Sequence, residues 1–124
     1  MTDDQITTAL RDGGLDSVRV RAGGLDQEHD WSVILSLGEQ QLLSLTRLIL
    51  ARPAFAVLDR VNAALKPDQV REMLRRLDEN SITCITLAED AEAVELYDAV
   101  LEIDGDGAWD WRGTGRGGSA AVAT

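Results

Sequence analysis

Residues 35–59 read LSLGEQQLLSLTRLILARPAFAVLD, and the fold is decided here. Ser36 with Glu39 three residues later has capping-box spacing, so a helix is expected to begin at Leu37. Leu42, Leu45, Leu48 and Ile49 recur at helical intervals as far as Ala51. Arg52-Pro53 ends the helix, because proline biases the residue before it away from helical backbone. Ala54-Phe55-Ala56-Val57-Leu58 is then an unbroken apolar run of strand length that closes on Asp59. Apolar residues without alternation suit a strand buried on both faces, as in a parallel sheet.

Working outward toward the C-terminus, residues 67–80 read as an amphipathic helix. Val70, Met73, Leu74 and Leu77 lie on one face, while Arg71, Arg75 and Arg76 fall on solvated surface. Residues 81–87 form a second apolar, β-branched strand, and 90–97 a short acidic helix. Residues 100–103 and 108–111 flank Asp104-Gly105-Asp106-Gly107, which is a hairpin signal. Within it, one of Trp109 and Trp111 is expected to pack inward and the other to lie exposed or at an interface. From Gly113 onward glycine, serine, alanine and threonine dominate, the composition of a flexible tail. Toward the N-terminus, Thr2 caps a helix over residues 2–10 whose Asp3 and Asp4 suit the positive end of its dipole. Gly13-Gly14 stops it, and Gly23-Gly24 punctuates a loop-rich stretch from Asp16 to Asp30. Strand, helix, strand, helix and hairpin in that order specify an α/β fold with at least two parallel strands.

The 124 residues carry 22 acidic and 12 basic side chains, a formal charge of −10. That sign repels phosphodiester backbones and anionic lipid, so neither nucleic acid nor a membrane surface is an expected ligand. No apolar run reaches the roughly 18 residues of a membrane span, and Met1-Thr2-Asp3-Asp4 is unlike a secretory leader. A single cysteine, Cys84, lies in an apolar run and reads as a reduced core residue of a cytosolic protein. His29 is the one histidine and has no second ligand at useful spacing, so no metal chemistry is assigned to it.

Leu35-Ser36-Leu37-Gly38-Glu39-Gln40-Gln41 resembles the signature motif of ABC-transporter ATP-binding domains, written L-S-G-G-E/Q-Q. A helix later, Phe55 to Asp59 resembles the Walker B strand, and Asn62-Ala63-Ala64-Leu65 stands where the family has its D-loop. The strand over 82–87 is similar to the one that precedes the family's switch histidine. The resemblance covers residues 1–112, as a helical-subdomain remnant plus the Walker B half of the core, with 113–124 a tail. Asp30-Trp31 and the Gly-x-Gly-x-Trp run ending at Trp109 are similar to the exporter-like group of peroxisomal acyl carriers and bacterial peptide-uptake transporters. The implied fold is a truncated P-loop NTPase-type parallel sheet with helices and a C-terminal β-hairpin.

The resemblance implies a division of labour. Family members pair head to tail, and the signature of one subunit faces the triphosphate held by the other. Ser36, Leu37, Gly38, Glu39 and Gln40 would be the nucleotide-binding residues in trans, supplying a hydroxyl, a close-approaching glycine and a helix N-terminus. Leu37 stands where the motif has its first glycine. Asp59 would hold Mg²⁺, if a nucleotide site is completed.

No intact catalytic set follows from the resemblance. Arg60 stands at the position of the catalytic glutamate, and a guanidinium cannot serve as a general base. Glu89 stands at the switch-histidine position, where a carboxylate repels developing phosphate charge. Lys66 and Ala63 replace the D-loop aspartate and serine. The sequence holds no G-x-x-x-x-G-K-[ST] phosphate loop, and residues 113–119 imitate its glycine spacing without the lysine. ATP and Mg²⁺ are therefore expected only with a partner chain, and the chain is expected to be inactive by itself. An absent Walker A strand would leave residues 82–87 with an open edge, filled by Val100–Ile103 or by another chain. The expected partner is an ABC ATPase subunit, or a second copy through that edge. The location implied is the cytoplasm, with the inner face of the membrane as the place of such a partner. The alternatives are a split-gene piece or remnant, and a repurposed protein-interaction module without a nucleotide role.

Overall fold

A computed structural model describes residues 1–89, 93–115 and 120–123, the last four by their backbone. They form two compact units, Met1–Ala51 and Arg52–Thr124. The fold is α/β, as the sequence pattern requires.

The first unit is helical. Helix α1 (Asp3–Asp12) starts in a capping box, in which Gln5 N–H donates to Thr2 Oγ1 at 3.3 Å and Thr2 N–H to Gln5 Oε1 at 2.8 Å. Short helix α2 (Asp16–Arg21) lies in the stretch expected to be loop-rich, and short helix α3 (Trp31–Ile34) follows that stretch. Helix α4 (Leu37–Ala51) has the boundaries that its cap and the following proline dictate. Leu15, Val18 and Leu35 make a small buried cluster, with Leu10, Ile34, Leu42 and Leu43 packed around it. Each such side chain removed from water contributes about 1.5–3 kcal/mol, before the entropy of ordering the chain is set against it. Packing is incomplete: an apolar cavity of about 210 Å³ remains among Ile6, Leu10, Leu15, Val18, Trp31 and Leu43. His29 is occupied structurally, its Nε2 lying 2.7 Å from the Ala22 carbonyl and its ring edge-on to Trp31.

The second unit is a five-stranded sheet in the order β1-β2-β5-β3-β4. Its strands are β1 (Phe55–Asp59), β2 (Thr83–Ala88), β3 (Ala99–Ile103), β4 (Trp109–Gly113) and β5 (Ala120–Ala123). The neighbours β1-β2, β2-β5 and β5-β3 are parallel, and β4 returns antiparallel to β3 as the hairpin signal predicts. Helix α5 (Pro67–Glu79) packs on β2 and buries Val70, Met73, Leu74 and Leu77. Pro67 at its first position and Arg75, paired with Glu72 and Glu79 on the exposed side, match the amphipathic reading. Of the acidic helix expected over 90–97, residues 90–92 lie outside the described residues and Val94–Leu96 is a single 3₁₀ turn.

Two expectations are corrected. The place beside β2 is filled neither by Val100–Ile103 nor by another chain. It is taken by β5, the chain's own Ala120–Ala123, from the segment read as a flexible tail. Gly113 and Ala120 both pair with Ala99, from opposite sides. Inserting β5 gives the facing amides and carbonyls of β2 and β3 backbone partners, which an open edge would leave to water. The second correction concerns the tryptophans. Trp109 and Trp111 are both exposed, because residues two apart on a strand share a face.

Candidate functional site

In the first unit, the turn before α4 is built by three contacts, two of them reciprocal. Glu39 N–H donates to Ser36 Oγ at 3.2 Å, Ser36 N–H donates to Glu39 Oε2 at 2.9 Å, and Gln40 N–H donates to the Ser36 carbonyl at 2.9 Å. Gln40 Nε2 ties back to the Leu35 carbonyl at 3.1 Å, which fixes the entry of the chain into the helix. Arg21, from α2, places its Nη2 3.0 and 2.9 Å from the two carboxylate oxygens of Glu39. The Ser36 amide first, and the Arg21 guanidinium second, hold the Glu39 carboxyl below the usual carboxylate range.

This geometry leaves specific groups available. Ser36 Oγ accepts from Glu39, and its own proton remains a donor. Leu37 and Gly38 precede the first helical hydrogen bond, so their amides stand at the positive end of a 15-residue helix. Leu37 is exposed and Gly38, already in helical conformation, is half-buried. A hydroxyl donor and two amides converging on a helix N-terminus can hold an anion such as a phosphate. The resemblance points to the same chemistry.

In the second unit, parallel pairing of β1 with β2 sets Asp59 opposite Leu87, so the ends of both strands meet. Asp59 closes β1, and Arg60 turns the chain away in the left-handed conformation, φ 51° and ψ 40°. Its amide donates to the Leu87 carbonyl at 3.2 Å. The Arg60 guanidinium stands between two carboxylates, Nε 3.8 Å from Asp59 Oδ1 and Nη2 3.7 Å from Glu89 Oε1. All three side chains are exposed and the separations exceed hydrogen-bond length, so these ion pairs are weak. Val61–Ala63 make a 3₁₀ turn, and the Lys66 amide caps α5 by donating to Gln69 Oε1 at 2.9 Å.

Asp59, Arg60 and Glu89 are thus brought together, and so are Ser36, Leu37, Gly38, Glu39 and Gln40, each set within its own unit. Asp59 and Glu89 do not fit Mg²⁺ as they stand. The cation between them is a guanidinium, and no cluster of three His, Cys, Asp or Glu exists among the described residues. The contact of Arg21 with Glu39 was not visible in the sequence, because 18 residues separate the partners and neither is unusual in its local pattern.

No family model matches the chain. Individual relatives do. It is 36% identical over 110 residues, 87% of its length, to the lysosomal cobalamin transporter ABCD4 of Mus musculus. It is 32% identical over 107 residues, 86% of its length, to an ABC transporter ATP-binding protein of Synechocystis. Over 102 residues, 82% of its length, it is 33% identical to the chloroplastic ABC transporter D family member 2 of Arabidopsis thaliana. The chain spans only 18%, 16% and 14% of these relatives. No helix among the described residues is long and apolar enough to cross a membrane. The homologues of the chain are ATP-binding proteins of ABC transporters, and it corresponds to a C-terminal segment of their ATPase domain.

Proposed function

We propose that the chain is a degenerate ABC ATP-binding segment that does not hydrolyse ATP by itself and acts by presenting its signature turn to nucleotide held by a partner ABC subunit. The observation that supports this reading is the turn at α4: a capped helix N-terminus that offers Ser36 Oγ–H and the Leu37 and Gly38 amides as donors, the kind of groups that bind phosphate. Inactivity rests on Arg60, which stands beside Asp59 and Glu89 as a charged donor where hydrolysis requires an acceptor for the proton of water. ATP and Mg²⁺ would then be bound only across an interface, with Asp59 one ligand at most. The partner is an ABC ATPase subunit, at the cytoplasmic face of its transporter.

The test is steady-state ATPase activity of an ABC ATP-binding subunit encoded in the same genome, titrated with the purified chain. The expected result is a saturable change in rate that Ser36→Asp abolishes while helix content is unchanged. A rate indifferent to the chain refutes the proposal and leaves the remnant or split-gene reading. Hydrolysis by the chain alone refutes the assignment of Arg60.

A further inference from the structure

The contact that braces the signature turn comes from outside it. Arg21 ends α2, 18 positions before Glu39. Its Nη2 lies 3.4 Å from the Ile34 carbonyl and 3.0 and 2.9 Å from the two carboxylate oxygens of Glu39. One guanidinium nitrogen therefore joins the residue before Leu35-Ser36 to the residue that closes the turn after them. Capping does not demand this. The turns that open α1 and α5 are closed at the same helix position by Gln5 and Gln69, both uncharged. Nor does stability, because an ion pair whose side chains are 49% and 24% exposed contributes little.

We propose that Arg21 is a positioning residue of the signature turn: by holding and neutralising the Glu39 carboxylate, it keeps the start of α4 attractive to a phosphate. The proposal rests on the reading of the turn as a nucleotide-facing element and adds the residue that sets the sign of its charge.

A helix N-terminus carries about half a positive charge. Glu39 adds a full negative one, and its carboxylate, 2.9 Å from the Ser36 amide nitrogen, neighbours any anion that Ser36 takes. It is ionised at neutral pH, since the Ser36 amide first and Arg21 second hold the carboxyl below its usual range. Without Arg21 the local sum is about −0.5 and repels a phosphate; with it the sum is about +0.5 and attracts one. A chain with a formal charge of −10 offers no general attraction in its place. The guanidinium lies at hydrogen-bond distance from Glu39, well inside the roughly 8–10 Å over which salt screens exposed charges, so the compensation holds in physiological salt.

The experiment titrates the full chain, labelled with nitrogen-15, with tripolyphosphate at fixed ionic strength and follows the Ser36, Leu37 and Gly38 amides. The expected result is a saturable shift of these amides, weakened about fivefold or more in Arg21→Gln and kept within about threefold of the parent in Arg21→Lys. Arg21→Gln combined with Glu39→Gln returns the sum to about +0.5 and keeps a capping-box residue, so binding should recover to within about threefold of the parent. A brace without an electrostatic role predicts the opposite, since the double variant lacks the brace as fully as the single one. Glu39→Gln alone should bind at least as tightly as the parent, which keeps the test decisive where Arg21→Gln does not fold. The proposal is overturned by an affinity that Arg21→Gln leaves unchanged, by a double variant as weak as the single one, by weaker binding in Glu39→Gln, or by amides that do not respond in the parent. The partner reading fails separately: a partner ATPase indifferent to the chain, with these tripolyphosphate results intact, removes the partner and leaves the role of Arg21.

Discussion

Replacing Ser36 separates its two assigned roles, because the side chains that can cap a helix are not all able to hold a phosphate. Ser36→Ala removes the acceptor that Glu39 N–H uses at 3.2 Å. Caps of this kind contribute about 0.5–2 kcal/mol. Ser36 is exposed, so water can reach the freed amide, and the reciprocal bond from Ser36 N–H to Glu39 survives. The loss therefore belongs to the lower half of that range, about 0.5–1 kcal/mol. Ser36→Asp keeps an acceptor at the cap and adds a negative charge at the positive end of α4, so stability should stay within about 0.5 kcal/mol of the parent. The same carboxylate would lie where a phosphate oxygen would have to sit, and the hydroxyl donor is gone. Urea unfolding followed by circular dichroism reads the first effect, and the partner-subunit ATPase titration reads the second. The expected pattern is Ala destabilised and Asp not, with Asp the weaker in the titration. Equal stability of all three proteins would show that the cap is not formed in solution. An Asp variant as effective as serine would refute the anion role of the turn.

Gly13→Ala should destabilise the first unit by about 1–3 kcal/mol, because its Cβ would come within 2.3 Å of Thr46 Oγ1 in a buried contact; an unchanged urea midpoint would contradict that packing. Glu39 has a folded pKa below its ordinary 4.5, so its contribution to stability is present above that value and is lost as pH falls through the lower folded one. Unfolding measured between about pH 3 and 6 should therefore lose part of its acid slope in Glu39→Gln, and an identical slope would show that the contacts with Ser36 and Arg21 are absent. Arg60→Gly should stabilise the second unit by about 0.5–1 kcal/mol, since a left-handed backbone costs a side-chain-bearing residue about 1 kcal/mol and exposed ion pairs of this length return little. A clear loss of thermal stability in Arg60→Gly would mean that the bridge between Asp59 and Glu89 is stronger than its geometry suggests.

The helices and strands were legible where local pattern and local chemistry agree. Helix α4 begins where Ser36 and Glu39 can cap each other and ends before Pro53; α5 begins at a proline and carries its four apolar residues at helical spacing. β1, β2 and the β3-β4 hairpin follow from apolar runs and an Asp-Gly turn. The resemblance at the signature was legible too, because a motif is a local string. The bracing of Glu39 by Arg21 and the meeting of Asp59, Arg60 and Glu89 were not, since both depend on segments brought together by folding.

By itself, the sequence determined α1, α4, α5, β1, β2 and the β3-β4 hairpin, the α/β class and the Ser36 cap. Tertiary structure alone decided that Ala120–Ala123 lies between β2 and β3 and that Trp109 and Trp111 are both exposed. The physical reason is one of range. Capping, turns and side-chain periodicity act over a few residues and are written in the order of the chain. Strand order and the covering of a sheet depend on which distant segments satisfy the backbone and bury the faces, and a run such as Ala-Ala-Val-Ala carries no local mark of the place it will fill.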